Sequence, residues 1–174
     1  MFDINNFCNL EHTAAKNYLL PFKYPWQALR ELKEFITVMG ESLSKSDYRT
    51  PSKGIWIHKN ACVAKSAQIC SPCIIDEGTQ VRHCAFIRGS VIIGKNCVIG
   101  NSTEIKNSII FDNVQVPHYN YIGDSILGYK SHLGAGAVTS NVKSDKSEVC
   151  LNIDGEIINT EMKKFGAIIG DYGR

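Results

Sequence analysis

Aliphatic side chains recur at every sixth residue from Ile57 onward: Ile57, Val63, Ile69, Ile75, Val81, Ile87, Ile93, Ile99 and Ile105. Nine in succession at one spacing leave few folds open. A period of six matches neither the roughly 3.6 residues of a helical turn nor the two-residue alternation of a long strand. It fits a chain that runs in short strands and turns a corner after each. A second column lies two residues earlier, at Ala61, Ala67, Cys73, Thr79, Ala85, Val91, Cys97 and Thr103, and every member is small or β-branched. Small residues suit crowded corners, and the excess of Val and Ile suits short strands. Three such sides close a coil of about 18 residues, and stacked coils make an all-β solenoid, a parallel β-helix with an aliphatic bore. By count Phe111 continues the series, after which the period slips.

Residues 1–50 lack this period. Trp26, Leu29, Leu32, Phe35, Ile36 and Met39 form an apolar stripe at helical spacing, with Pro25 at its start and Gly40 at its end. Leu10 to Leu20 reads as a shorter helix stopped by Pro21. The expected organisation is a short α-helical N-terminal cap and linker over 1–54, covering an open end of the solenoid, and a β-helix over 55–174. The alternative for the helices is a lid that binds a partner. Interruptions of the repeat predict loop insertions near 112–121 and 140–165. Because Ala167 to Asp171 opens a new hexad shortly before Arg174, further C-terminal coils are expected to be missing.

Composition excludes several classes. With 19 Lys and Arg against 17 Asp and Glu, the net charge is only +2, which argues against a strongly basic nucleic-acid binder and against an acidic disordered tail. No apolar run approaches the roughly 18 residues of a membrane span, and the start resembles no secretory leader. The expected setting is cytoplasmic, with neither nucleic acid nor membrane as partner. Seven cysteines are then thiols. Cys73 and Cys97 fall in the small-residue column, so the Cys70-x-x-Cys73 pair is read as structural.

Chemistry concentrates between residues 88 and 141. Arg88 and Lys106 both follow an aliphatic position and lie one coil apart, so they should stack about 4.8 Å from each other. Two cations held that closely call for an anion between them, such as a phosphate monoester; the alternative is two solvated surface charges. His118 follows in a stretch that breaks the repeat, and Gly134-Ala135-Gly136 comes soon after. A histidine near neutrality can take a proton from an amine or hydroxyl.

Glu104-Ile105-Lys106, Pro117 to Asp124 and Leu133 to Asn141 resemble the acetyltransferase half of the bifunctional bacterial N-acetylglucosamine-1-phosphate uridyltransferases. The hexads themselves resemble the wider left-handed β-helix superfamily. The resemblance implies acetyl transfer from acetyl-CoA to the amine of an amino-sugar 1-phosphate by a homotrimer. It assigns Arg88 and Lys106 to the sugar phosphate, His118 to general-base catalysis, Tyr121 and Asn141 to the sugar ring, and the backbone around Ala135 to acetyl-CoA. No metal is implied. The resemblance does not extend to the nucleotidyltransferase half, so no uridyl transfer is expected; His132 stands where the family pattern has an asparagine, and Ser140 to Ser144 departs from it. The sugar need not be glucosamine, and the role of a family lysine near Lys146 does not transfer. Two rival readings remain. A trimeric sugar-phosphate or sugar-nucleotide binding protein would keep the anion site without transfer. A zinc-dependent carbonic anhydrase of the hexapeptide type would use three of the five histidines, which lack the close pairing that such a metal face requires.

Overall fold

The computed structural model describes residues 3–139 and 142–174. Short parallel strands stack into a left-handed β-helix of about 4 turns with three walls. The first wall carries Ile55–His58, Cys73–Ile75, Val91–Ile93, Ser108–Ile110, Ile126–Leu127 and Ile168–Ile169, with the antiparallel strand Tyr48–Ser52 covering its leading edge. The second wall stacks Cys62–Val63, Gln80–Val81, Val98–Asn101 and Gln115–His118. The third stacks Gln68–Ile69, Phe86–Ile87, Glu104–Lys106 and Tyr121–Gly123.

The six-residue columns are the bore. Ile75, Ile87, Ile93, Ile99 and Ile105 are completely buried, and Val81 nearly so. Each side chain of this size taken from water contributes about 2 kcal/mol. The corners follow the same rhythm. Backbone φ is positive at Gly78, Cys84, Ser90, Asn96, Ser102, Asn107, Asn113, Tyr119, Asp124 and Lys130. Left-handed backbone disfavours L-residues by about 1 kcal/mol each, least for Gly, Asn and Asp, and small residues (Gly, Ser, Asn or Asp) fill seven of these ten positions.

One expectation about the coil is corrected. Residues 112–121 are not a loop insertion: Gln115–His118 is a strand lying on Val98–Asn101. Ile87 pairs with Ile105, but Val91 pairs with Ser108. The corner Arg88-Gly89-Ser90 is therefore matched by Lys106-Asn107 alone, and later coils are one residue shorter. Ile110, paired with Ile93, takes the bore position that counting assigned to Phe111, which is still buried at the adjacent corner. After Thr139 the chain leaves the coil. An antiparallel hairpin, Cys150–Ile153 with Glu156–Asn159, precedes its return at Ile168–Ile169.

The N-terminal segment is helical in places, with α-helices at Lys16–Leu19 and Leu32–Ser42. The longer helix lies along the first wall, against Cys73–Ile75 and Val91–Ile93. There the residues that point away from the bore are also apolar and buried: Trp56, Ile74, Ile92, Ile109 and Ile126. Gly40 permits the contact, since a Cβ on it would stand 2.3 Å from the Trp56 ring. Further along, Trp26 meets Phe165 edge to face and Arg30 pairs with Glu161 at 2.9 Å, tying the segment to the chain's excursion. No helix of the described residues is long and apolar enough to cross a membrane.

Candidate active site

Strand register brings Arg88 and Lys106 to one edge of the third wall, because Ile87 pairs with Ile105. Each has a carboxylate partner. Arg88 Nη1 donates to Glu104 Oε1 at 2.7 Å, and Lys106 Nζ donates to Asp124 Oδ2 at 2.8 Å. This corrects the premise that the two cations lack counter-charge. Glu104 is on the next coil, diagonal to Arg88, and Asp124 is a further coil above Lys106. The Lys106 pair is the less solvated, with side chains 20% and 5% exposed against 43% and 33% for Arg88 and Glu104. Asn107 Nδ2 donates to the other Asp124 oxygen at 2.8 Å, fixing that carboxylate from both sides. The hydrogen bond to Glu104 holds the Arg88 guanidinium above the ordinary arginine range; burial opposes this, and Glu104, Tyr121 and Asp124 reinforce it through charge. Both cations keep further N–H donors.

Tyr121 opens the next strand of this wall, directly over Glu104. His118 ends the neighbouring strand of the second wall, opposite Asn101, and its side chain is exposed at the corner between the two walls. The turn around Ala135 lies on that corner one coil later: the Gly136 N–H donates to the His118 carbonyl at 3.1 Å, and Ala135 is exposed. The structure therefore gathers His118 and Ala135 at one corner, with Arg88, Lys106 and Tyr121 on the wall that leads away from it. Asn141 lies outside the described residues.

Asn120 holds this arrangement and was missed as a functional residue in the sequence. It is 2% exposed, accepts the His118 N–H at 3.1 Å through Oδ1, and donates through Nδ2 to Gly134 O at 2.6 Å. It occupies the small-residue column otherwise filled on this wall by Ala67, Ala85, Thr103 and Ala137. A buried amide in such a column is a signal for local cross-linking. Beneath the corner, Gly100 is required: a Cβ there would stand 1.5 Å from the Pro117 carbonyl oxygen.

These side chains stand on an open surface. A polar cleft of about 470 Å³ lies at a different corner, lined by Asn96, Asn113, Gln115, Lys130, Ser131, His132 and Arg174. Among the described residues no three His, Cys, Asp or Glu side chains are grouped so as to hold a metal ion. The seven cysteines are unbridged, and burial pushes the Cys97 thiol up to about 12.

Hexads wound into a left-handed β-helix define a hexapeptide-repeat protein. The model of the GMPPB C-terminal domain matches residues 69–164, and the chain belongs to that family. It is 35% identical over 164 residues to the bifunctional protein GlmU of Methanococcus maripaludis strain S2, covering 93% of this chain and 40% of that protein. It is 34% identical over 90 residues to the bifunctional sugar-1-phosphate nucleotidylyltransferase/acetyltransferase of Sulfurisphaera tokodaii, covering 52% and 22% of the two chains. The acetyltransferase domain of PglB from Neisseria gonorrhoeae is similar at 15% identity with a TM-score of 0.39, over 48% of this chain and 53% of that one. The chain thus spans less than half the length of these two curated relatives.

Proposed function

We propose that this chain is an acetyltransferase domain that moves the acetyl group of acetyl-CoA to the amine of an amino-sugar 1-phosphate, as a homotrimer. The observation that carries the reading is that His118 and Ala135 share one corner, held by Asn120, while Tyr121, Arg88 and Lys106 lie along the wall that leads away from it. His118 is exposed and can take the amine proton as nitrogen attacks the thioester carbon, a role worth about 10² to 10⁴ in rate. The developing oxyanion needs backbone donors. Since the Gly136 N–H is committed to His118 O, the Ala135 amide is the better candidate. Arg88 and Lys106 hold the sugar phosphate with the donors that Glu104 and Asp124 leave over. An open face requires a second surface to exclude water, and a neighbouring protomer supplies it.

The two neutralised cations also favour a second reading, a sugar-phosphate binding protein that does not transfer. Calorimetry with glucosamine 1-phosphate, paired with free-thiol release from acetyl-CoA, separates the two. Transfer predicts binding and thiol release together, and Arg88→Ala and Lys106→Ala should each weaken binding about tenfold. Binding without release from any amino-sugar phosphate supports the second reading. Unaltered binding in both variants removes the anion site from either.

A further inference from the structure

The corner that carries His118 also carries a nucleophile cluster two coils earlier. Ser66 turns the first coil, His83 and Cys84 the second, Asn101 the third and His118 the fourth. Ser66 Oγ lies 2.6 Å from His83 Nδ1, and His83 Nε2 lies 3.2 Å from Cys84 Sγ. The Cys84 N–H donates to the same Ser66 Oγ at 3.2 Å. One hydroxyl thus fixes both the imidazole and the backbone of the cysteine. With its two lone pairs Ser66 Oγ can accept the Cys84 N–H and a proton on Nδ1, which leaves Nε2 to receive the thiol proton. This is the arrangement of an activated nucleophile: thiol, base, and a third group that orients the base.

The position adds to the case. Cys84 is a left-handed corner residue with φ 55°, a phase that elsewhere in the coils carries Gly, Ser, Asn, Asp, Tyr or Lys. Its side chain is exposed, as are Ser66 and His83. Cys62 and Cys150 are exposed as well, yet neither has an imidazole contact among the described residues. The bore cysteines 73 and 97 are inaccessible, completely buried with thiols that burial holds protonated.

We propose that Cys84 is a reactive thiol that exchanges with small-molecule disulfides, with His83 as its base and Ser66 as the positioning residue. The Cys84 proton passes to His83 Nε2, and the thiolate attacks one sulfur of the disulfide in line. The Cys84–S bond forms as the reagent's S–S bond breaks. The leaving thiolate recovers the proton from His83, so Cys84 is oxidised to a mixed disulfide while one equivalent of small thiol is released. In-line exchange requires no oxyanion donors, which the cluster does not display.

The test uses the intact chain with glutathione disulfide at pH 7, followed by peptide mass spectrometry over time. Cys84 should acquire glutathione at least tenfold faster than Cys62 and Cys150 in the same molecules. His83→Gln should bring Cys84 down to their rate, and Ser66→Ala should lower it about threefold. Unmodified Cys73 and Cys97 in each variant report that the coils remain folded. Equal rates at the three exposed cysteines, or an unchanged Cys84 rate in folded His83→Gln, would overturn the proposal.

Discussion

The first wall of the solenoid and the other two are built on the same inward hexads and differ on their outward faces. Outside the bore the first wall presents Trp56, Ile74, Ile92, Ile109 and Ile126, all buried, and the longer N-terminal helix lies along its strands Cys73–Ile75 and Val91–Ile93. At the matching outward positions the second wall presents Cys62, Gln80, Val98 and Gln115, and the third presents Gln68, Phe86, Glu104 and Tyr121. The bore therefore specifies the coil, while the outer face decides what each wall does. One wall is a docking bed for a helix, and the corner between the other two is left open.

A pair of lysine substitutions tests whether the outward faces of the walls differ. Ile92→Lys places an unpaired charge where the residue is 1% exposed and should cost more than about 4 kcal/mol. Gln80→Lys, at an outward position of the second wall, should change stability by less than about 0.5 kcal/mol. Urea denaturation of both settles the matter; similar losses would mean that the walls are equivalent. Gly100→Ala should cost about 3 kcal/mol, because its Cβ meets Pro117 O at 1.5 Å and the coil beneath His118 must shift. Thermal melting checks the loss.

A pH series probes the bore and the N-terminal contacts. Burial pushes the Cys97 thiol from 9.0 up to about 12, and Cys8 moves in the same direction to a similar value. A folded pKa above the unfolded one means that this contribution is fully present below about pH 9. It is lost between pH 9 and 12, by about 1.4 kcal/mol per pH unit for each thiol. Denaturation at pH 8 and 10.5 should show the decline, and Cys97→Ala should make it shallower by the share of that one thiol. A small effect is expected at the site: Glu104→Gln frees the Arg88 guanidinium from its ion pair and should tighten phosphosugar binding about threefold, read by calorimetry.

The inner half of the fold was legible because its period is strict. The break expected at 112–121 arose because a single shortened corner, Asn107 in place of Gly89-Ser90, shifts the phase of everything after it. Strict counting in sixes reads such a shift as an insertion. Ile110 and Leu127 restore the pattern once the shift is allowed. The bed for the helix was written in doublets such as Ile74-Ile75 and Ile92-Ile93, whose first members face outward. At the site, the stacking of Arg88 over Lys106 followed from spacing alone. Their counter-charges did not, because Glu104 and Asp124 become neighbours only through the coil. Asp124 lies eighteen residues after Lys106, so the same arithmetic applied to carboxylates would have found it. Asn120 was visible only as an exception within the column of small residues.

The proposed acetyl transfer stands on catalysis at the His118 corner. Its most direct test is the rate of acetyl-CoA-dependent acetylation of glucosamine 1-phosphate by wild-type and His118→Ala chains, with phosphosugar binding measured on both. His118→Ala should lower the rate at least 100-fold while leaving binding within about threefold of wild type. Equal rates in the two proteins would contradict it.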